Sequence, residues 1–264
     1  MLRFDDVRFA FDRGAPVLAG VTLGVRAGGM VAVLGPNGSG KTTLLRLASG
    51  ALAPDAGRVT LDGRDVGSFA RRDLARRLAV VPQETALAFD YSALEVVLMG
   101  RYPHLGAFEI EGPADLAAAE RAMGATGTAA FMARPFRTLS GGEKQRVVIA
   151  SALAQLDTSA SPAHAGPERG GSTPLLLLDE PTASLDIRYQ LEIMALLRRL
   201  HDEQGVTIVL TTHDLRLARA LCTEAVLLAR GRVLASGAPA EVLSSARLVE
   251  LFEVDAVLAL PFLG

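Results

Sequence analysis

Gly35-Pro36-Asn37-Gly38-Ser39-Gly40-Lys41-Thr42 decides how the rest of the chain is read. It follows Met30-Val31-Ala32-Val33-Leu34, an apolar run with the length of a buried strand, and precedes Thr43-Leu44-Leu45-Arg46-Leu47-Ala48, which opens a helix. Strand, glycine-rich loop and helix are the context that gives G-x-x-x-x-G-K-[ST] its physical meaning. The glycines let successive N–H groups curl around an anion, and the helix opening at Lys41 adds free N–H groups and a positive dipole end. Lys41 suits the β- and γ-phosphates of a nucleotide, and the Thr42 hydroxyl suits Mg²⁺. Cation usage agrees. Of 27 Lys and Arg residues only Lys41 and Lys144 are lysine. A chain that otherwise relies on arginine has a compact ammonium where a guanidinium fork is too bulky.

Bulk properties bound the answer. The 264 residues, half of them apolar, suit one large α/β domain or a core plus a subdomain. A net charge of −2 does not mark a nucleic-acid binder. The one cysteine, Cys222, excludes an intrachain disulfide, fits a reducing compartment and reads as core filler. The first residues carry acids where a signal peptide needs an apolar core, and no apolar run approaches the roughly 20 residues of a membrane span. A chain soluble on its own, reaching a membrane only through a partner, is expected.

Residues 2–26 alternate like strands around the turn Asp12-Arg13-Gly14, which predicts an antiparallel sheet beside the nucleotide core. Phe11 at its tip is either an ordinary exposed aromatic or a platform for adenine. Strands are expected at 58–61 and 78–81, with a basic helix at 68–77 between them. Gln83 then begins a loop at a strand end, where open α/β sheets place ligand groups. Residues 90–156 read as mostly helical, with helices near 93–99, 114–123 and 141–156, a helical block inserted into the core. In Leu139-Ser140-Gly141-Gly142-Glu143, Ser140 and Glu143 are spaced as a capping box. The segment is either a well-capped helix start or a second anion site. Residues 157–173 lack large apolar groups and read as a flexible surface loop; the isolated His164 there does not read as a metal ligand. Pro174-Leu175-Leu176-Leu177-Leu178-Asp179-Glu180 is an apolar strand ending in two carboxylates. Asp179 suits the Mg²⁺ shell, and Glu180 can orient or deprotonate a water. A helix follows from Ser184-Leu185-Asp186 to about 204. The strand 206–212 ends at His213, at the same edge as Gln83 and Glu180. His213 is either a donor to the γ-phosphate or a residue of the next helix start. A hairpin around Arg230-Gly231 and two short helices, near 239–244 and 246–252, finish the fold.

Phe11, GPNGSGKT at 35–42, Gln83, LSGGE at 139–143, LLLLDE at 175–180, SLD at 184–186 and His213 together resemble an ABC-type ATPase subunit, in order and spacing over residues 2 to about 245. The resemblance implies an ABC ATPase fold, α/β, with a P-loop core carrying a mixed sheet and an antiparallel N-terminal subdomain. It implies a single domain, with core at about 1–88 and 174–253 and a helical subdomain at about 89–156. It implies ATP on Phe11 and on Gly35, Pro36, Asn37, Gly38, Ser39, Gly40, Lys41, Thr42 and Thr43. Ser140, Gly141, Gly142, Glu143 and Asp186 would complete a nucleotide site across a head-to-tail homodimer. Thr42, Gln83 and Asp179 would hold Mg²⁺; Glu180, His213 and Gln83 would be catalytic. Glu143 departs from the commoner glutamine, but either residue completes the capping box. Residues 93–105 resemble the importer subunits for iron complexes: haem, ferric siderophores and cobalamin. The added length before the LLLLDE strand resembles the haem importers. That implies permease subunits, a substrate-binding protein outside the membrane, no nucleic acid, and a place on the cytoplasmic face of the inner membrane. A soluble ABC ATPase, such as an iron–sulfur-cluster assembly subunit, is the alternative.

Overall fold

The computed structural model describes residues 1–12, 14–157 and 173–252. Most of the loop expected at 157–173, with His164, and the tail from 253 lie outside them. In chain order the elements are β1 (Leu2–Ala10), β2 (Pro16–Val25), β3 (Met30–Leu34), α1 (Lys41–Ala48), β4 (Ala56–Leu61), β5 (Arg64–Asp65), α2 (Arg71–Ala75) and β6 (Leu78–Val81). Then come α3 (Ala93–Leu98), α4 (Pro113–Thr126), α5 (Gly141–Leu156), β7 (Leu175–Asp179), α6 (Ile187–Gln204), β8 (Thr207–Thr212), α7 (Leu215–Leu221), β9 (Glu224–Ala229), β10 (Arg232–Gly237), α8 (Pro239–Val242) and α9 (Ser245–Phe252).

The strands form two sheets. The antiparallel one runs β2-β1-β4-β5; the other runs β10-β9-β3-β8-β7-β6, parallel except for β10 at its edge. The parallel strands are apolar throughout because both faces are covered. Val31, Val33, Leu175, Leu177 and Val209 pack with α1 and the antiparallel sheet. Their alternate neighbours Ala32, Leu34, Leu176, Leu178, Ile208 and Leu210 pack with α5, α6 and α7. Each such leucine contributes about 1.5–3 kcal/mol by leaving water, so this sheet cannot slip without losing two cores at once.

That register positions the site. Leu34 stands beside Thr212, Asp179 beside Thr211, and Val81 beside Leu178. Parallel strands ending level deliver the residues that follow them, Gly35, Gln83, Glu180 and His213, to one carboxyl edge.

One expectation is corrected. The helix expected at 68–77 is a 3₁₀ turn, Val66–Ser68, followed by the shorter α2. Asp65 caps the turn by accepting from Gly67 N–H at 2.7 Å, and the extended Phe69 lies under Arg64, whose guanidinium is 4.3 Å from the ring centroid. The helix expected at 141–156 is α5, Gly141–Leu156, and the capping box makes Ser140 its N-cap. Among the described residues no helix is long and apolar enough to cross a membrane. Cys222 is buried in the helical-side core, and burial pushes its thiol up to about 12.

Candidate nucleotide site

The loop after β3 turns into α1 through Gly40, whose φ of +105° is strained for any residue with a side chain. Lys41 then points back into the loop. It is only 7% exposed, and its Nζ donates to the carbonyls of Gly35 at 2.8 Å and Pro36 at 3.3 Å. The same ammonium lies 3.6 Å from Glu180 Oε1. Ser39 is buried and its Oγ has no partner. A buried hydroxyl left unmet costs about 1–3 kcal/mol, and a phosphate oxygen in the loop would satisfy it.

Glu180 sits one residue beyond β7 in the left-handed region, φ +44°. For a non-glycine residue that costs about 1–3 kcal/mol and requires the surroundings to impose it. Thr211 is the group that does so. Its hydroxyl accepts from Glu180 N–H at 2.9 Å and donates to Asp179 Oδ1 at 2.6 Å. The Glu180 carboxylate is thereby turned to the sheet edge, where His213 Nδ1–H donates to Oε2 at 3.2 Å. One carboxylate oxygen faces a lysine and the other a histidine.

These groups share one open cavity of about 790 Å³. Of the residues singled out from sequence, 35–38 and 40–43, Gln83, Glu180 and His213 line it. Asp179 is buried behind it, held by Thr211. Phe11 is outside the lining, 47% exposed, edge-on to Phe9 at 4.9 Å.

Ser140, Gly141, Gly142, Glu143 and Asp186 are also outside it and form a second centre. Ser140 Oγ accepts from Glu143 N–H, and Glu143 Oε2 accepts from Ser140 N–H at 2.8 Å. That backbone bond is the main cause holding the Glu143 carboxyl below the usual range, with Arg134 at 3.3 Å assisting. Asp186 is the N-cap of α6, accepting from Tyr189 N–H at 3.2 Å. Gly142 abuts the Tyr189 ring so closely that an added Cβ would lie 2.3 Å from it. The first turns of α5 and α6 are thus one packed unit.

The sequence reading missed three residues. Thr211 is one of three buried threonines of β8, and no local signal separates it from Thr207 and Thr212. Val17 and Phe252 line the cavity from β2 and from the end of α9. Phe252 follows Leu248 by one helical turn, and Leu248 is core, so the ring bridges core and cavity. Phe252→Ala is expected to weaken ATP binding about 2- to 12-fold, the equivalent of ~0.5–1.5 kcal/mol of aromatic contact. Because the chain has no tryptophan, Phe252→Trp gives a single indole whose emission should change saturably as ATP is added. Emission indifferent to saturating ATP would remove Phe252 from the site.

The ABC transporter family model matches residues 18–158, and a second model, described as an AAA domain, putative AbiEii toxin, matches 133–219. The chain is 42% identical over 231 residues to a cobalamin import ATP-binding protein of Halobacterium salinarum, covering 88% of this chain but only 54% of that protein, about half its length. It is 40% identical to the hemin import ATP-binding protein of Rhizobium meliloti, over 96% of this chain and 91% of that one. The corresponding hemin protein of Myxococcus xanthus is 43% identical over 89% and 84%. Among solved structures, a metal-chelate type ABC transporter in an inward-facing conformation superposes with a TM-score of 0.80 at 29% identity, over 96% of this chain and 89% of that chain. A dimeric ATP-binding cassette in a post-hydrolysis state, bound to ADP and Pi, gives 0.74 at 28% identity, over 90% and 99%. With that loop, that carboxylate and these relatives, the chain belongs to the ABC transporter family of ATP-binding proteins.

Proposed function

We propose that this chain binds and hydrolyses ATP to drive an importer of iron complexes, haem ahead of ferric siderophore and cobalamin. The observation that carries the hydrolytic half is the Glu180 carboxylate, fixed between Lys41 and His213 at the mouth of the phosphate loop. Haem is favoured because the hemin relatives match along nearly the whole of both chains, whereas the cobalamin relative is covered by half.

In this reading the loop 35–43 cradles the phosphates and Phe11 carries the adenine. Glu180 takes up the proton of the attacking water, or aligns it, and His213, oriented by Glu180, faces the γ-phosphate. Positioning and charge stabilisation are most of what phosphoryl transfer asks of a protein. The donor set available to Mg²⁺ is all oxygen, the Thr42 hydroxyl, the Gln83 amide carbonyl and the Asp179 carboxylate, as a hard cation requires. Mg²⁺ would supply charge neutralisation at the β- and γ-phosphates.

Ser140, Gly141, Gly142 and Asp186 lie outside the cavity of their own chain, which supports their serving the nucleotide of a second copy. A two-fold head-to-tail dimer makes two such composite sites. We read 1–264 as one ATPase domain, with core and inserted helical subdomain as expected, working on the cytoplasmic face of the inner membrane through permease subunits. A substrate-binding protein would deliver cargo outside.

Affinity purification from native membranes tests the assignment. A many-spanning permease should copurify, and deletion of the gene should abolish growth on haem as sole iron source while sparing growth on siderophores. Copurification with soluble scaffold proteins would overturn the transport reading. Normal growth on haem with loss on one siderophore would move the cargo.

A further inference from the structure

Among the described residues, Arg101 is the largest side chain that the fold buries completely. Its Nε donates to Asp115 Oδ1 of α4 at 2.9 Å, and its Nη1 donates to the carbonyls of Ala154 and Asp157, each at 2.6 Å. These carbonyls belong to the last turn of α5 and to its C-cap residue, where helix geometry leaves oxygens without intrahelical donors. His104, three residues on, donates from Nε2 to Gln155 O at 2.7 Å. Burial, the largest cause, lowers the His104 pKa and favours the neutral ring. Two side chains of one short 3₁₀ segment, Met99–His104, thus hold three carbonyls at the end of one helix. Gly100 brings the segment against α5, since a Cβ there would lie 2.1 Å from Ser151 O.

The same turn is tied to the parallel sheet. Gln155 Nε2 donates to Ala75 O at 2.7 Å and to Leu78 O at 3.0 Å, at the entry to β6. Arg76 Nε donates to Pro103 O at 2.8 Å. Of Gly100-Arg101-Tyr102-Pro103-His104, Tyr102 is the member more than half exposed, at 56%. A buried guanidinium is a weak source of stability, and here Nη2 even lacks a partner. What such a charge can supply is a fixed geometry.

The other end of α5, 16 residues and about 24 Å away, is Ser140-Gly141-Gly142. We infer that Arg101 is a positioning residue: it locks the C-terminal end of α5 to α4 and to the 99–104 segment, which Arg76 holds beside the entry to β6 as Gln155 holds α5 there, and so aims the Ser140-Gly141-Gly142 end at the nucleotide of a second copy. This rests on the two-copy reading above, but its test can be separated from it.

Cys222 is buried and its thiol is not reactive at neutral pH, so cysteines introduced at the exposed Arg58 and Arg137 take spin labels selectively. Arg58 reports the antiparallel sheet and Arg137 the approach to Ser140. With Arg101→Lys, which keeps a charge but cannot span Asp115 and two carbonyls, the inter-label distance distribution should broaden about twofold or more, a subdomain motion. Arg101→Met should broaden it further, and Tyr102→Ala in the same turn should leave it alone. ATP turnover of Arg101→Lys should fall about 10- to 100-fold, the effect of a displaced group remote from the chemistry. That loss should lie in kcat, with the affinity for a fluorescent ATP analogue within about twofold of the parent, because the loop 35–43 is not moved. Global damage would instead depress binding as well. A distribution as narrow as the parent's, or a loss shared equally by binding, overturns the role of Arg101. Failure of Glu180→Gln to pair in ATP would overturn only the two-copy reading, while the label distances would still report whether Arg101 sets α5.

Discussion

Glu180→Gln should bind ATP about as well as the parent, lose turnover about 100- to 10,000-fold, the range for removing a positioned proton acceptor, and accumulate as an ATP-bound dimer. The substitution keeps the volume and leaves His213 a carbonyl oxygen to donate to. It removes the negative charge 3.6 Å from Lys41 and the basic oxygen that a water could protonate. The phosphate cradle is made by other residues, so affinity should not fall; losing a carboxylate beside the phosphates even relieves repulsion. If ATP closes two copies around the nucleotide and hydrolysis separates them, a chain that binds without hydrolysing stays closed. Size-exclusion chromatography with ATP, and again with ADP, reads this directly. A variant that remains monomeric in ATP would leave Ser140, Gly141 and Gly142 without a nucleotide to serve. A variant that still hydrolyses would take the proton-accepting role away from Glu180 whatever its oligomeric state.

How far this site was legible in sequence follows from where its parts lie. Gly35, Gln83, Glu180 and His213 each follow a short apolar run. Parallel strands are read one at a time, and their ends meet without any side chain having to be placed. The two-faced apolar runs at 30–34 and 175–178 announced a sheet covered on both sides, and it is one. What stayed hidden depends on partners far away in the chain. Thr211 reads as an ordinary β-branched strand residue until Asp179 and Glu180 are beside it. Arg101 reads as a surface charge until the end of α5, some fifty residues later, is packed on it. Phe252 reads as one more apolar residue of a terminal helix until that helix is laid against the cavity. The misread helix at 68–77 has the same cause. Its charges fit a helical face, but Phe69 is held extended beneath the Arg64 and Arg77 guanidinium groups, which a local pattern does not reveal.

Lys41→Ala should weaken ATP binding about 10- to 150-fold, equivalent to the ~1.5–3 kcal/mol of a hydrogen bond to a charged group, and turnover should fall by more. The lysine sits at the first turn of α1, 7% exposed, already gathered by the carbonyls of Gly35 and Pro36. Its entropy of ordering is therefore spent in folding, and a phosphate meets a cation that is already placed. Alanine is a good helix former, so α1 should survive the change. The two carbonyls it uncovers face an open cavity and can be hydrated, so thermal stability should change little. That separates this variant from general unfolding, and a melting curve beside the nucleotide titration makes the distinction. Lys41→Arg is the sharper comparison. It restores the charge in a chain that uses arginine almost everywhere else, yet the planar fork needs more room than an ammonium and presents its donors in a different geometry. Binding should remain impaired with arginine, by about tenfold or more on the same scale. If arginine restored full affinity, the loop would be reading net charge alone, and the shape argument for its lysine would fail. If alanine bound ATP as well as the parent, the 35–42 loop would not be the phosphate cradle, and the roles given to Thr42, Glu180 and His213 around it would fall with it.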